Sequence, residues 1–462
     1  MTGETGSRAR AEAFVVQLPF PSTSDANPVI HRYYTDYERR FSRLVRDFFI
    51  PAQSLWEMPL WVAHLAGMLE AVGTEPVFLD LSGEAPQADI CLRRVLAETS
   101  TGSVVMLSPL AQNLQLALTV SQKLIAHGRR TIIGGNMAPL VNPKDCTQVY
   151  RGLLNPEKLR AILAGTQNGC PISDILTPRG RISWAPSYRL LRRYHGKVPL
   201  LRLMASHGCL YACSFCGDAW SQKLYVTDPG ALESEVRDFE TLFPETRLIY
   251  IGDKTFGQSK EAVANLLSVF SKRRQYRFIV QTHICAVNTE LIETMKELGV
   301  IAAEVGFESG SKELLADSHK TSVPETQYLK NIDRIRSAGI EVILNVLGGL
   351  PQERAEDHES TIRLMRRWSE HVFLYNLYNF VPYPLTPVFE SLRERITDWN
   401  FEHWREDAPP VFVPYHQTIE QSWNRFLEKV EVAHELVRRA PGRETRTSAR
   451  YEYSTMDRAA QG

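Results

Sequence analysis

One alternation, a short apolar segment followed by an amphipathic helical segment, extends over most of this chain and restricts its fold more than any other feature. In residues 13–170 it predicts strands near 14–18, 76–80, 104–107, 131–133 and 147–150, and helices near 59–71, 90–98, 114–126 and 156–163. Strands joined through helices pair in parallel, because each helix carries the chain back across one face of the sheet. Residues 13–170 are therefore predicted to form an α/β domain with a doubly wound sheet.

The alternation begins again after a segment rich in Pro, Ser and Arg, residues 171–197, which we interpret as a linker. Further strands are expected near 200–204, 248–252, 278–282, 301–307, 341–347 and 372–380, with helices between them. Six such units over residues 198–392 predict a partial barrel, whose functional groups gather at the carboxyl ends of its strands. Residues 393–440 predict a small helical C-terminal cap, and the polar ends, 1–12 and 441–462, predict disordered tails.

Charge and composition exclude several classes of partner. Lys+Arg and Asp+Glu both number 53, so no excess charge points to nucleic acid or to an anionic membrane. The chain lacks the run of about 18 apolar residues that a membrane span needs, and its first ten residues lack the apolar core of a secretory signal. Seven cysteines, of which only three are close in sequence, favour a reducing compartment. We expect a cytoplasmic enzyme.

Three cysteines directly follow the first predicted barrel strand, in the segment Cys209-Leu-Tyr-Ala-Cys213-Ser-Phe-Cys216. This C-x3-C-x2-C spacing lets one loop place three thiolates around a [4Fe–4S] cluster and leaves one iron open to a small chelating molecule. The alternative is a structural zinc site in a non-catalytic interaction module, with His207 as the fourth ligand. Such zinc sites usually take their ligands from two separated pairs, and no second pair exists here, so the cluster is favoured.

The cysteine loop, with Phe215 before its last cysteine, resembles the radical S-adenosylmethionine (SAM) superfamily. The resemblance extends to the subgroup that places a Rossmann-like, cobalamin-binding-type domain before a TIM-like (β/α)6 barrel. It implies that SAM binds the open iron through its amino and carboxyl groups and is cleaved to a 5′-deoxyadenosyl radical. It also implies an electron donor such as flavodoxin or ferredoxin.

Several strand ends match positions that bind SAM in that superfamily. Gly252 and Asp253 stand where the family's Gly-Gly-Glu motif receives the SAM amino group, although the motif itself differs. Glu308 and Ser309 could accept hydrogen bonds from the ribose or the SAM ammonium, or could instead begin a helix. The segment containing Asn345 resembles the adenine-binding segment. The predicted cofactor-binding residues are Phe215, Gly252, Asp253, Glu308, Ser309, Asn345 and Gly348.

The N-terminal domain matches the cobalamin-binding pattern only in part. Ser108-Pro-Leu110 and Gly134-Gly135 fit its later motifs. In the cobalamin-binding motif an aspartate stands two residues before the cobalt-binding histidine, but Val62 stands two residues before His64. His64 also lies in a predicted apolar helix, so we predict that it is a packed core residue. The connection after Gly135 is short. The sequence therefore favours a domain that keeps the fold without cobalamin, while radical SAM methylases that bind cobalamin without a histidine leave the alternative open.

Polar residues at predicted interior positions and strand ends favour a polyhydroxylated or aminated substrate, because buried polar groups must be paired. The predicted general acids and bases are Glu304, His283, Lys254 and Asp253. The main functional prediction is radical dehydration of an amino-sugar, by resemblance to aminoglycoside (paromamine-type) radical SAM dehydratases of antibiotic biosynthesis, with a downstream reductase as a further partner. The alternative is a cobalamin-dependent radical SAM C-methyltransferase of natural-product biosynthesis.

Overall fold

The structure, a computed structural model, describes residues 12–21, 27–48, 58–152, 154–165, 179–217 and 223–439. Of the predicted tails at 1–12 and 441–462, all but Glu12 lies outside the described residues, as does the first part of the predicted linker, 171–178. Glu12 belongs to a strand, which corrects the end of the predicted N-terminal tail. None of the helices in the described ranges is long and apolar enough to cross a membrane.

The N-terminal domain is built on a parallel five-stranded sheet. Its strands are β1 (Glu12–Gln17), β2 (Glu75–Asp80), β3 (Val104–Leu107), β4 (Arg130–Ile133) and β5 (Gln148–Val149). The first helix, α1 (Pro28–Val45), packs outside this domain. The helices of the domain itself are α2 (Leu60–Ala71), α3 (Ala88–Glu98), α4 (Leu114–Ala126) and α5 (Pro156–Leu163). The strand order is β2-β1-β3-β4-β5, so the winding reverses between β1 and β3. Doubly wound sheets bind ligands outside the strand ends at such a switch point.

The second domain is a six-stranded parallel partial barrel in the order β14-β13-β12-β11-β10-β7. Its strands are β7 (Leu201–Leu203), β10 (Leu248–Ile251), β11 (Arg277–Thr282), β12 (Val300–Glu308), β13 (Glu341–Gly348) and β14 (Leu374–Asn379). Its helices are α6 (Pro229–Leu242), α7 (Lys260–Phe270), α8 (Thr289–Leu298), α9 (Lys312–Asp317), α10 (Glu325–Ser337) and α11 (Ala355–Arg367). The predicted α/β fold class is confirmed.

Part of the predicted linker is folded, which corrects the interpretation of residues 171–197. Strand β6 (Arg179–Ile182) pairs with β9 (Leu224–Thr227), and β9 pairs with β8 (Ser206–His207) in a small third sheet. A 3-10 helix, Arg189–Tyr194, follows β6. Because β8 directly precedes the cysteine loop, this sheet holds the first residues of that loop in place.

Helix α1 is absent from the sequence-based prediction. Asn27 caps its first turn by accepting a hydrogen bond from the Val29 N–H at 2.9 Å. The helix packs against the C-terminal helix α13 (Ile419–Arg439) and along β14, the edge strand of the barrel. The Tyr33 hydroxyl donates to the Tyr375 carbonyl, and the Tyr34 hydroxyl donates to the Leu377 carbonyl at 2.9 Å. Helix α1 therefore covers an open barrel edge.

The two faces of the N-terminal sheet enter different cores. Ala13 and Val15 pack in a core that is continuous with the barrel. Phe14 and Val16, on the other face, pack in a core that includes Trp404 from the predicted cap. The cap, with the short helix α12 (Phe389–Leu392), therefore contacts both domains and helps to fix one against the other.

Candidate active site

The three cysteines lie on one loop at the carboxyl end of β7, as the sequence predicts. The thiols of Cys209 and Cys213 are buried and that of Cys216 is half-buried; none forms a disulfide. Gln258 holds the first part of the loop, accepting from the Leu210 N–H and donating to the Gly208 carbonyl, both at 3.2 Å. The loop is thus anchored on the segment that follows β10.

Further contacts fix the middle of the loop. The Ser214 N–H donates to the Ser318 carbonyl at 2.9 Å, and the Ser214 carbonyl accepts from the Val388 N–H at 3.2 Å. The Tyr211 ring stacks on the buried His283 ring, with 4.0 Å between centroids and 11° between planes. Burial, and then the charge of Lys320, lower the pKa of His283 to about 3. His283 is therefore neutral near pH 7 and supports the loop; its proposed acid–base role remains a prediction.

The three thiols are close without converging on one point. Burial raises the pKa of the Cys213 thiol to about 11, and charges on Cys216 and Cys209 act in the same direction. Among the described residues, no three side chains of His, Cys, Asp or Glu come close enough to bind one metal ion. Zinc requires all its sulfur ligands at about 2.3 Å, whereas a cubane spreads its thiolates around several atoms. The position of all three cysteines on one loop agrees with the [4Fe–4S] cluster that their spacing predicts.

A buried ion pair lies beside the cysteines. Lys320 Nζ and Glu308 Oε1 are 3.2 Å apart, and their side chains are only 7% and 10% exposed. Burial opposes the charged form of Lys320, but Glu308 and Cys213 raise its pKa. Glu308 has a φ of 64°, in the left-handed region that non-glycine residues rarely adopt. Sequence reasoning found Glu308 but missed Lys320, which enters from the loop after α9 and shares no motif with the barrel strands.

The residues next to this ion pair, including the predicted Ser309, have structural partners. A Cβ on Gly306 would lie 2.5 Å from the Glu308 carboxylate and 2.7 Å from Lys320, so glycine leaves room for the ion pair. The Ser309 hydroxyl lies 3.2 Å from the Thr361 hydroxyl and accepts from the Ser311 N–H at 3.1 Å. Ser311 caps α9. The helix N-cap alternative therefore holds at Ser311, while cofactor binding by Ser309 stays a prediction.

Asp253 braces the strand that leads into the cysteine loop. Its carboxylate accepts from the N–H groups of Ala205 and Ser206, at 2.8 and 3.0 Å, and from the Ser206 hydroxyl at 2.5 Å. Burial raises its pKa to about 6, against the effect of these hydrogen bonds. Gly252 packs near Met204, since a Cβ on this glycine would lie 3.2 Å from the Met204 Cγ. The neighbouring Lys254 is exposed.

Glu304 lies inside the barrel. It accepts a hydrogen bond from the Tyr250 hydroxyl at 2.8 Å, and the Arg202 guanidinium stands 4.5 Å from the centre of the Tyr250 ring. The parallel register places Arg202 beside Tyr250 on adjacent strands. Neither Tyr250 nor Arg202 was predicted as a site residue, although period-two alternation places both on the face that Glu304 shares.

Two predicted adenine-binding residues are engaged with protein. The buried Asn345 accepts a hydrogen bond from the Asn376 amide at 2.9 Å. A Cβ on Gly348 would lie 2.6 Å from the ring of Phe426 on α13. The flat ring that approaches Gly348 is thus a phenylalanine of this chain. Phe215 packs against the core that the N-terminal domain shares with the cap.

A cavity of about 880 Å³ separates the carboxyl edge of the N-terminal sheet from the barrel. Gly217, which directly follows Cys216, lines it, so the cavity reaches the cysteine loop. Phe20 and Leu110, which follow β1 and β3, line it on either side of the switch point. The opposite wall is formed by residues of α1, β14, the segment after β14 and the cap: Tyr34, Leu377, Tyr378, Tyr383, Arg405, Glu406, Asp407 and Phe426.

One part of the cobalamin-type sequence pattern, Gly135, lines this cavity. Gly135 has a φ of +85°, and a Cβ there would lie 2.4 Å from the Ser108 hydroxyl, so the two later parts of the cobalamin pattern meet. The His64 ring instead contacts the His207 ring, with 5.7 Å between centroids, and burial lowers its pKa to about 4. No histidine is among the described residues that line the cavity.

Residues 203–365 match the family model of the radical SAM superfamily. The anaerobic magnesium-protoporphyrin IX monomethyl ester cyclase of Rubrivivax gelatinosus is 21% identical over 395 residues, which is 76% of this chain and 69% of that protein. The hopanoid C-2 methylase of Rhodopseudomonas palustris (strain TIE-1) is 23% identical over 244 residues. That match covers 51% of this chain and 45% of the methylase, so the chain spans less than half of this relative.

Solved structures share the two-domain fold. The radical SAM methyltransferase TsrM from Kitasatospora setae has a TM-score of 0.60 and 16% identity, covering 84% of this chain and 77% of TsrM. The cobalamin-dependent SAM radical enzyme OxsB has a TM-score of 0.55 and 12% identity, covering 90% of this chain and 56% of OxsB. At these identities the likeness is one of fold, a cobalamin-binding-type domain before a barrel. The cysteine loop, the barrel and the family match agree that residues 203–365 form a radical SAM domain.

Proposed function

We propose that this radical SAM enzyme holds cobalamin in the cavity between its domains and transfers a methyl group to a carbon of a small polar substrate. The observation that carries the proposal is the position of the cavity. One wall is the switch point of the N-terminal sheet, where such domains bind ligands, and the other extends to Gly217 beside the cysteine loop. When bound, the cluster would supply the electron that cleaves SAM, and cobalamin would carry the methyl group.

The chain's own residues have separable tasks in this proposal. Cys209, Cys213 and Cys216 would hold the cluster. Lys320, buried beside them, is a cation suited to a carboxylate such as that of SAM. Tyr378 lines the cavity and interacts electrostatically with Glu304, inside the barrel, and with Glu406, on the cavity wall. A substrate beside its ring would therefore lie between the barrel interior and the cavity.

Amino-sugar dehydration has less support than methyl transfer. Loss of a hydroxyl needs a positioned general acid, but Asp253 is occupied by backbone N–H groups and His283 is stacked and neutral. Glu304, bonded to Tyr250, remains as the candidate acid inside the barrel. The methylase among the relatives favours the alternative that the sequence left open. The shared fold with the cobalamin-dependent enzyme OxsB supports cobalamin as a cofactor.

The test is cobalamin capture by the anaerobically reconstituted chain. The unmodified protein should retain about one cobalamin per chain after gel filtration, since the cavity lies at the switch point of the sheet, where such domains bind ligands. Leu110→Glu, which adds a charge to the cavity wall, should weaken capture by about tenfold or more. Ile125→Glu is the matched control, because Ile125 is an exposed apolar residue of the same domain that does not line the cavity.

Failure of the unmodified chain to retain cobalamin would count against the proposal, as would equal capture by Leu110→Glu. Mass analysis of candidate polar substrates incubated with SAM separates the reactions. Gain of a methyl group supports the proposal, and loss of water supports dehydration.

A further inference from the structure

Three consecutive charged residues of the cap line the cavity opposite the N-terminal sheet. Arg405 makes two hydrogen bonds to the Asp407 carboxylate, at 2.8 and 2.6 Å. This bidentate geometry neutralises the Asp407 charge. Glu406 lies between them in sequence and lines the same cavity. Its own carboxylate is therefore the remaining negative group on this stretch of wall.

The Glu406 carboxylate has no hydrogen-bond donor or cation as a partner in the described part of the chain. No hydrogen bond or ion pair to its side-chain oxygens occurs among the described residues, whereas its backbone carbonyl accepts from the Asn379 N–H at 2.8 Å. That backbone bond fixes Glu406 at the end of β14. The side chain remains accessible to water although protein surrounds it, which is the situation of a residue on a concave wall. Burial, and then Asp407, raise its pKa.

Three tyrosines line the cavity close to Glu406. Burial raises the pKa of Tyr34, Tyr378 and Tyr383, and the negative charge of Glu406 raises it further. The Tyr34 hydroxyl donates to the Leu377 carbonyl at 2.9 Å, and the Tyr383 hydroxyl donates to a carbonyl of the cap at 3.2 Å. Both rings are thereby held at the wall. Aromatic rings beside a carboxylate attract cations, especially organic ammonium groups.

We propose that the substrate carries a protonated amino group and that Glu406, with the rings of Tyr34, Tyr378 and Tyr383, is the site that binds it. The Glu406 carboxylate on this concave wall attracts a cation, whereas a neutral hydroxyl would leave its charge uncompensated. The inference rests on the proposed function, since it places the substrate between the bound cobalamin and the cap wall of the same cavity. It adds the chemical class of that substrate and the residue that selects it.

The test compares benzylamine with benzyl alcohol, two probes of nearly equal size that differ in charge. Titration calorimetry on the anaerobically reconstituted chain should show benzylamine binding at least about tenfold more tightly near neutral pH. Glu406→Gln should reduce this preference to near unity. Glu402→Gln, an exposed glutamate four positions earlier on the same segment, should retain it. Glu406→Asp, which keeps the charge on a shorter side chain, should retain a weakened preference.

Thermal unfolding identifies any variant that fails to fold, and the Glu406→Asp result then decides. The inference is overturned if the unmodified chain binds benzylamine no better than benzyl alcohol, or if folded Glu406→Gln keeps the full preference. Cobalamin capture by the unmodified chain is measured separately. Its absence counts against the proposed function, while loss of the amine preference counts against the present inference.

Discussion

Lys429 and Glu353 form an ion pair in the interior, with side chains 0% and 1% exposed. Lys429 also donates to the Leu347 carbonyl at 3.1 Å, and Glu353 accepts from the Gly349 N–H at 2.8 Å. The pair joins α13 to the end of β13. Each charge has several partners, so removing one residue would leave the other charge buried without compensation.

Lys429→Met should therefore lower the free energy of unfolding by about 3–5 kcal/mol, measured by urea denaturation. Lys296→Met is the control, because Lys296 and its partner Glu293 are both exposed, and its effect should stay below about 1 kcal/mol. Equal, small effects of the two substitutions would show that the buried pair contributes little.

The free energy of unfolding should depend on pH because of the buried Glu235 on α6. Its carboxyl group is buried and accepts a hydrogen bond from the Tyr188 hydroxyl at 2.8 Å. Burial raises its pKa to about 8. The unfolded group ionises near pH 4.3, so between about pH 4 and pH 8 the unfolded state gains free energy from ionisation that the folded state does not. The free energy of unfolding should therefore fall as the pH rises through this window.

Glu235→Gln should remove this fall, because glutamine does not ionise. Relative to the unmodified protein, the variant should gain about 2–4 kcal/mol in free energy of unfolding between about pH 5 and pH 8. Urea denaturation across this range provides the measurement. Parallel pH profiles for the two proteins would mean that the buried carboxyl group is not protonated in the folded state.

At the scale of elements, α1 covers the edge strand β14, whose peptide groups would otherwise be exposed. The fully buried Tyr33 hydroxyl donates to the Tyr375 carbonyl. Tyr33→Phe should lower the free energy of unfolding by about 1–3 kcal/mol, since it leaves a buried carbonyl without its partner. Thr35→Val, whose exposed hydroxyl bonds only its own helix, should change it by less than about 0.5 kcal/mol. Denaturation curves that coincide for the Tyr33 variant and the unmodified protein would contradict this role of α1.

The sequence predicts the helices and strands that contain a clear apolar segment. It does not predict elements that form only because they pair with residues far away in the sequence. Helix α1 has buried residues at 30, 33, 37, 41 and 45, a helical spacing, but its many charged residues hide it in a search for apolar segments. Strand β8 has only two residues, and β6 has a single apolar side chain among its four residues, so neither forms an apolar segment. Their partner β9 comes after the cysteine loop, so only the folded chain reveals the pairing.

The candidate site divides in the same way. The cysteines could be found because one short loop contains all three. Lys320 and Glu406 could not, because each comes from a separate loop and meets the site only through the fold. Asp253, Asn345 and Gly348 were found at strand ends, but each has protein partners that the sequence could not reveal. Spacing thus identifies a local ligand set, and the residues around it depend on tertiary contacts.

At the scale of the whole molecule, two domains are arranged around one cavity. The cap packs with the N-terminal sheet through a shared core, and α1 and α13 close the barrel side. The cysteine loop therefore meets the cavity at Gly217. This arrangement brings the cysteine loop, the switch point and Glu406 to the lining of one cavity, which none of the domains could form alone.

The proposed chemistry begins with three thiolates that hold a cluster and leave one iron open to SAM. Electron paramagnetic resonance of the anaerobically reconstituted, reduced protein, with and without SAM and alongside iron analysis, is the decisive test. We expect about four irons per chain and a spectrum that changes when SAM is added. Cys213→Ala should lose the iron and the spectral change, and Cys285→Ser, at an exposed cysteine outside the loop, should retain them. A colourless protein with one zinc ion, or an iron spectrum that SAM leaves unchanged, would contradict this expectation.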